Sequence, residues 1–205
     1  MEATRTLALA GVIAPVLFIT LVIVQGALAP DYSHVAMPIS ALTAWPLTGW
    51  IQKLNFYVFG SSMAAFAVGL HRGVQPTRGG AAGFALLAIG GAGIVAAGVF
   101  PWKMVDGVPT ETPLHVAAAI PSFAATAAGL IAFSRRLKAD PRWRDLAAYT
   151  LSSGIVMLLL FVTLGWFAIE DDAPLHPWAG LLQRFVCAVW FTCTIVLAMR
   201  LRRLA

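Results

Sequence analysis

Charged side chains are scarce in this sequence: Asp, Glu, Lys and Arg make up 11% of the 205 residues, whereas hydrophobic residues make up 60%. Soluble globular domains carry about 25% charged residues, so a soluble domain of this size is excluded. The apolar residues also fall into long runs, and about 20 residues in a helix cross the hydrocarbon core of a bilayer. Because backbone polar groups in lipid must pair within the chain, these runs are predicted to be transmembrane helices.

Cysteine is almost absent too, since the 2 that occur, Cys187 and Cys193, both lie in the last apolar run. Their spacing places them on different faces of a helix, so they cannot pair with each other and are expected to be small apolar filler. The histidines show no HxxxH or HExxH spacing, and His71 falls on the opposite side of the membrane from the other three, which argues against a haem. We expect neither a metal nor a cofactor; a zinc site built from a carboxylate and the three remaining histidines, His34, His115 and His176, is the alternative.

Each of the apolar runs is about long enough to cross a bilayer, and they occupy residues 7–29, 52–70, 80–100, 114–134, 146–169 and 179–199. We predict an all-α integral membrane bundle of six transmembrane helices that forms one domain over residues 1–205. The first run is read as a retained helix and not as a cleaved signal peptide, since Pro15 interrupts it and Pro30 directly follows the candidate cleavage point.

The charges that are present are divided between the two sides of the predicted membrane. Most of the 14 basic residues lie on the side of the N-terminus, and most of the 9 acidic residues lie on the other. Positively charged segments resist translocation, so both termini are predicted to be cytoplasmic in a multi-pass protein of the plasma (inner) membrane. The net charge of +5 then reflects topology and contact with anionic membrane lipids, and no nucleic-acid partner is expected.

Two local features predict how the helices are arranged. Residues 30–51 form the longest outer connection, in which Ile39 and Leu42 indicate a short interfacial helix. Gly and Ala crowd the third and fourth helices, and small residues let helix backbones approach closely in lipid. These two helices are therefore predicted to form the packed centre of the domain.

Several polar residues are predicted to meet at the outer face. An enclosed pocket there would hold His115, Arg184, Asp106 and Tyr32 together. Arg184 lies inside the sixth helix, where a charge costs roughly 3 kcal/mol or more, so a negative group is expected beside it unless the side chain reaches the membrane interface. The candidates for that group are a bound phosphate, carboxylate or lipid head group and the acids Asp106, Glu111, Glu170 and Asp171.

His115, at the start of the fourth helix, is a candidate general base because the helix N-terminus favours its neutral form. Ser40 as nucleophile and Asp106 as the group that orients the histidine would complete a triad. The alternative is a structural histidine that is hydrogen-bonded to an outer-loop acid. Trp102 and Trp166 belong to a set of tryptophans at the outer level, which forms an aromatic belt or lines a pocket for an isoprenoid.

Short motifs spread over the whole chain match a known family. They are Pro30-Asp31-Tyr32-Ser33 with Ile39-Ser40-Ala41-Leu42, Asn55 with Phe59-Gly60, Gly98-Val99-Phe100-Pro101, and Leu114-His115 before Ser122-Phe123. The chain thereby resembles the DUF998 family of small bacterial integral membrane proteins. Its Phe-Pro and His elements are distantly similar to the Frag1/DRAM/Sfk1 group, some members of which are linked to lipid remodelling or lipid asymmetry. The resemblance gives Tyr32, Ser40, Asn55, His115 and Arg184 as functional positions, whereas Pro101-Trp102-Lys103 stands in place of the usual Pro-x-Asp.

The leading hypothesis is a membrane protein whose outer-leaflet pocket binds a lipid or isoprenoid and acts on it by acid/base chemistry. The catalytic candidates are His115, Asp106 and Ser40, and the binding candidates are Arg184, Tyr32, Asn55, Trp102 and Trp166. One alternative is a non-catalytic accessory or scaffold subunit, or a homo-oligomer, that packs through Gly83 and Gly90. The other alternative is a small transporter, although no inverted repeat is evident.

Overall fold

The computed structural model describes residues 2–77, 80–169 and 172–205. Long helices dominate it, and their bounds are α1 Glu2–Leu28, α2 Gly49–Gly73, α3 Ala81–Val99, α4 Pro113–Ala139, α5 Arg144–Phe167 and α6 Ala179–Leu204. Each helix contains most of one predicted apolar run. Both α4 and α6 continue several residues past the predicted run through segments rich in Lys and Arg, because these residues favour helix once the chain has left the apolar region.

Among the described residues, five of these helices, α1 and α3 to α6, are long and apolar enough to cross a membrane. The other long helix, α2, is more polar, since Gln52, Lys53 and Asn55 lie in its first two turns. Large exposed aliphatic side chains such as Ile13 and Leu159 cover the outward faces of the helices, and a soluble monomer rarely leaves so much apolar surface uncovered. The chain is therefore a multi-pass membrane protein.

Consecutive helices pack side by side, and α6 also packs against α1, so that the helices close into a ring. Aromatic side chains fill the middle of this ring. The ring centroid of Phe59 lies 4.9 Å from that of Phe18, 5.1 Å from that of Trp190 and 5.0 Å from that of Phe191. Such tilted and edge-on pairs are favourable beyond the area they bury.

The close approach of α3 and α4 depends on small residues, as predicted. A Cβ atom added at Gly83 would stand 2.7 Å from the backbone nitrogen of Phe133, and one at Gly90 would collide with Thr126. Both glycine faces are therefore occupied by the neighbouring helix of the same chain. A partner protein or a second copy would have to use another surface.

The first long connection folds over one end of the ring, which we call the outer end after the topology predicted from the sequence. It contains the predicted short helix, a 3₁₀ helix at Ile39–Ala44, but its interfacial position was wrong, because all six residues are buried in the protein. The side chain of Gln25 on α1 makes this burial possible, since its Nε2 donates to the carbonyls of Leu42 at 3.1 Å and Thr48 at 2.7 Å. We call residues 38–44 the roof.

The second outer connection corrects the all-α prediction. It forms a two-stranded antiparallel hairpin, β1 Lys103–Val105 and β2 Val108–Thr110. Asp106 and Gly107 both have positive φ, of 49° and 80°, which is the geometry of a type I′ turn. The fold is thus nearly all-α, with one small hairpin beside the ring.

At the opposite end of the ring, the two short connections are tied together by charged side chains. Arg136 is buried, and its Nε donates to the carbonyl of Gln75 while its NH2 group donates to the carbonyl of His71, both at 2.8 Å. Asp140 accepts from the backbone nitrogen of Gln75 at 3.0 Å and from the Arg142 guanidinium at 2.8 Å. These hydrogen bonds, led by the one from the Arg142 side chain, hold the pKa of Asp140 at about 2.

Candidate functional site

A cavity of about 550 Å³ lies beneath the roof, in the outer half of the ring. Residues near the middle of the helices line its deep part, and most of them are aromatic: Phe18, Phe56, Phe59, Phe123, Phe161, Trp190 and Phe191. Residues from the roof, from either side of the hairpin and from the outer ends of α4 and α6 line the other part, and these include the polar members: Ser40, Trp102, Glu111, His115 and Gln183. The cavity is therefore amphipathic, with its polar groups at the outer end.

The cavity reaches the surface between α4 and α5. Among its lining residues, Ile120 on α4 and Val162 and Trp166 on α5 are exposed. Gly165 also lines the cavity, and a Cβ atom at that position would have no atom within 4 Å. The opening therefore lies on an apolar face of the ring.

His115 is held in place by the end of α3. Its side chain is 2% exposed, and its Nδ1 lies 3.1 Å from the carbonyl oxygen of Ala97 and 2.9 Å from that of Phe100. The Ala97 carbonyl would normally accept from the backbone nitrogen four residues later, but that residue is Pro101, which has no N–H. His115 supplies the missing donor and so caps α3.

This cap also fixes the tautomer of His115. Carbonyl oxygens only accept hydrogen bonds, so Nδ1 carries a proton, and in the neutral ring Nε2 keeps its lone pair. Nε2 has no partner among the described residues, and His115 lines the cavity. The carbonyls of Ala97 and Phe100 thus orient this ring, a role that the sequence had assigned to Asp106.

Other polar groups of the lining also lack partners within the described part of the chain. The indole Nε1 of Trp102 is buried without an acceptor, and the side chains of Glu111 and Ser40 form no hydrogen bond. Gln183 uses its Oε1 to accept from the backbone nitrogen of Ile39 at 2.5 Å, which leaves its NH2 group unused. Burial raises the pKa of Glu111, so its carboxyl group takes up a proton more readily than a carboxyl in water.

Arg184 lies outside the cavity lining, in a cluster with Tyr32 and His34. Its NH2 group donates to the Tyr32 hydroxyl at 2.7 Å and to His34 Nδ1 at 2.9 Å, and its NH1 group donates to the carbonyls of Met37 at 3.2 Å and Gly180 at 2.8 Å. Burial, and then the Arg184 cation, lower the pKa of His34, which is consistent with its Nδ1 accepting from Arg184. Burial raises the pKa of Tyr32, although Arg184 opposes that effect.

The partners that the structure describes for Arg184 are therefore neutral dipoles. These hydrogen bonds tie the first outer connection to α6, so in this cluster Arg184 has a structural role. Of the acids proposed from the sequence, Asp106 and Glu111 do not contact Arg184, and Glu170 and Asp171 lie outside the described residues.

The remaining predicted site residues are distributed as follows. Ser40, Trp102, His115 and Trp166 are brought together around the cavity, with Trp166 77% exposed at its opening. Asn55 is buried between helices, where its Nδ2 donates to the Phe18 carbonyl at 3.1 Å and to Gln52 at 3.3 Å.

Asp106 is exposed at the tip of the hairpin and does not line the cavity. The expected single pocket is thus divided into the cavity and the Tyr32–Arg184 cluster.

Sequence reasoning did not identify two lining residues, Glu111 and Gln183, as site residues. The sequence predicts Glu111 only as an ion-pair partner of Arg184, yet it lies four residues before His115, close enough to share one end of a cavity. Gln183 is an amide inside an apolar helix, which is itself a signal of a buried polar contact. Within the described residues, no three His, Cys, Asp or Glu side chains come together in a group that could hold a metal ion.

Comparison with known proteins places the chain in a family. Residues 12–200 match the family model described as "Protein of unknown function (DUF998)". No curated protein and no solved structure matches the chain. The match covers nearly the whole of the chain, including every residue of the cavity, so the chain belongs to the DUF998 family.

Proposed function

We propose that this protein binds a lipid or isoprenoid in the cavity under the roof. The observation that carries the proposal is the amphipathic cavity itself, whose unpaired polar groups lie at the outer end and whose aromatic walls lie deeper. A cavity of about 550 Å³ is within the range of small-molecule sites. Its opening on an apolar face gives a lipid a route from the bilayer that avoids water.

The proposal includes a membrane arrangement in which all six long helices cross the plasma membrane and both termini are cytoplasmic. The polarity of α2 is compatible with crossing, because Gln52 and Asn55 are buried inside the protein. The outward residues of α2 include Trp50, Leu54 and Val58, which are apolar. With 25 residues, the helix is about 37 Å long, enough to cross a hydrocarbon core.

A second candidate function, acid/base chemistry on the bound lipid, has its own supporting observation. His115 offers a lone pair on Nε2 and Glu111 offers a carboxyl group whose pKa burial raises, and both line the same end of the cavity. A base and an acid in a water-poor site are the elements of proton transfer to and from a substrate. Ser40, also at this end, would contact the same head group.

Blocking the cavity tests the binding proposal. Gly165→Phe places a large side chain in the open space of the cavity without a clash at its Cβ atom. Leu159→Phe on the same helix is the matched control, because Leu159 is 61% exposed and does not line the cavity. Both variants and the wild-type protein would be purified in mild detergent, and their bound lipids identified by mass spectrometry.

A lipid enriched with the wild-type protein and with the Leu159→Phe variant, but lost from the Gly165→Phe variant, is the expected result. Identical lipid profiles for all three proteins, at equal yield and equal melting temperature, would contradict binding in the cavity.

A further inference from the structure

The polar end of the cavity limits which head group the ligand can have, and the inference drawn from it rests on the proposed binding of a lipid. Among the described residues that line the cavity there is no Lys and no Arg, and Glu111 is the one acidic residue. Arg184 is held in the separate cluster with Tyr32 by four hydrogen bonds. A phosphate or carboxylate head would thus enter a buried site without a permanent cation to pair with it, which is unfavourable.

The unpaired acceptor of the lining matches a hydroxyl instead. His115 Nε2 is an acceptor without a donor among the described residues, whereas Trp102 Nε1–H, which also lacks a described partner, is closed off from any water-sized group. The Trp102 ring stands beside His115, with centroids 6.3 Å apart and planes at 83°. A ligand hydroxyl can donate its proton to His115 Nε2, whereas a fully ionised acid can only accept.

The size of the cavity limits the hydrophobic part. A volume of about 550 Å³ is within the range of sites for one small molecule, so the cavity accommodates one hydrocarbon chain. The aromatic walls around Phe59, Phe123 and Trp190 give that chain apolar contacts along its length.

We infer that the cavity takes a single-chain lipid alcohol, whose hydroxyl donates to His115 Nε2, and excludes the same chain when it carries a phosphate. Farnesol and farnesyl phosphate are a suitable pair of probes, since they differ only in the head group.

The experiment measures binding of radiolabelled farnesol to the protein in phosphatidylcholine nanodiscs, with unlabelled farnesol or farnesyl phosphate as competitor. Farnesol is expected to bind the wild-type protein and the Leu159→Phe control but not the Gly165→Phe variant, and farnesyl phosphate is expected to compete at least tenfold more weakly. His115→Asn, which removes the Nε2 acceptor, is expected to weaken farnesol binding about fivefold to tenfold.

A reversed charge gives a positive test. Glu111→Arg places a cation at the polar end, and because Glu111 lies outside the helices, this change is expected to leave the fold intact, as a melting curve would check. The variant is expected to gain binding of farnesyl phosphate relative to the wild-type protein.

The outcomes separate the inference from the proposed function. Binding of farnesyl phosphate as tight as that of farnesol, still blocked by Gly165→Phe, would overturn the head-group inference and leave lipid binding in the cavity intact. Failure of both probes to bind the wild-type protein above the Gly165→Phe variant would overturn both.

Discussion

At the scale of single residues, His115 has two separable tasks, since Nδ1 caps α3 and Nε2 faces the cavity. Asn places its amide N–H₂ near the position of Nδ1, so His115→Asn is expected to keep the cap and lose the Nε2 lone pair. Gln places its amide near Nε2, so His115→Gln is expected to leave the buried carbonyls of Ala97 and Phe100 without a donor, at a cost of about 1–3 kcal/mol. Melting curves of both variants measure the first task, and lipid binding or turnover measures the second.

The expected pattern is therefore a stable Asn variant with impaired ligand handling and a destabilised Gln variant. Equal loss of stability in the two variants would argue against the cap. A stable Asn variant that handles the lipid like the wild-type protein would remove His115 from the proposed chemistry.

At the scale of helices, the contact between α3 and α4 is set by the glycines. Gly83→Ala adds a methyl group 2.7 Å from the backbone of Phe133, which cannot rotate away as a side chain could, so the helices must separate. We expect the free energy of unfolding to fall by about 1–3 kcal/mol. Gly165→Ala is the control, because its methyl group meets no atom within 4 Å and Ala is the better helix former.

Thermal unfolding of the two purified variants, in one detergent, compares them directly. A Gly83→Ala protein that melts at the wild-type temperature would show that this helix contact is looser than the structure indicates.

At the scale of the whole molecule, the number of crossings decides the positions of the termini. Six crossings place both ends of the chain on one side, whereas five crossings, with α2 left out, would place them on opposite sides. The native cysteines are both buried, so new ones can be labelled with low background. Asp106→Cys at the hairpin tip is expected to react with a membrane-impermeant maleimide in intact cells, and cysteines placed at Glu2 and Arg203 are expected to react only after the cells are permeabilised.

Labelling of one terminal cysteine, but not the other, in intact cells would contradict six crossings. Labelling of both terminal cysteines with protection of the hairpin would reverse the predicted orientation while keeping the even number.

The helices could be predicted from the sequence because their signal is local, as each apolar run contains its own evidence. The site could be predicted only in part. His115, Ser40, Trp102 and Trp166 were recognised as outer polar or aromatic residues, and the structure brings them to one cavity. The turn signal Asp106-Gly107 was present and indicates a hairpin tip, which would have argued against placing Asp106 in a pocket.

The surroundings of Arg184 could not be predicted in the same way. Three of its four partners lie 147 to 152 positions away in the chain, and two of the four, Met37 and Gly180, contribute backbone carbonyls. Every residue has a carbonyl group, so a sequence does not show which carbonyls will accept from a cation. The few acids are the obvious candidates, and they were the partners predicted for Arg184. The position of the roof likewise depends on bonds between distant segments, such as that from Ile39 to Gln183.

Those distant bonds determine when the cavity can exist during synthesis. The backbone nitrogens of Gly180 and Leu181, at the start of α6, donate to the carbonyls of Ala36 and Val35, next to the roof. A ribosome that has released α1 to α5 into the membrane has therefore produced only part of the cavity walls, because α6 supplies Trp190 and Phe191, and has not produced the anchor of the cover. The roof of the nascent chain cannot be anchored until α6 has been inserted, so the cavity is completed only at the end of synthesis.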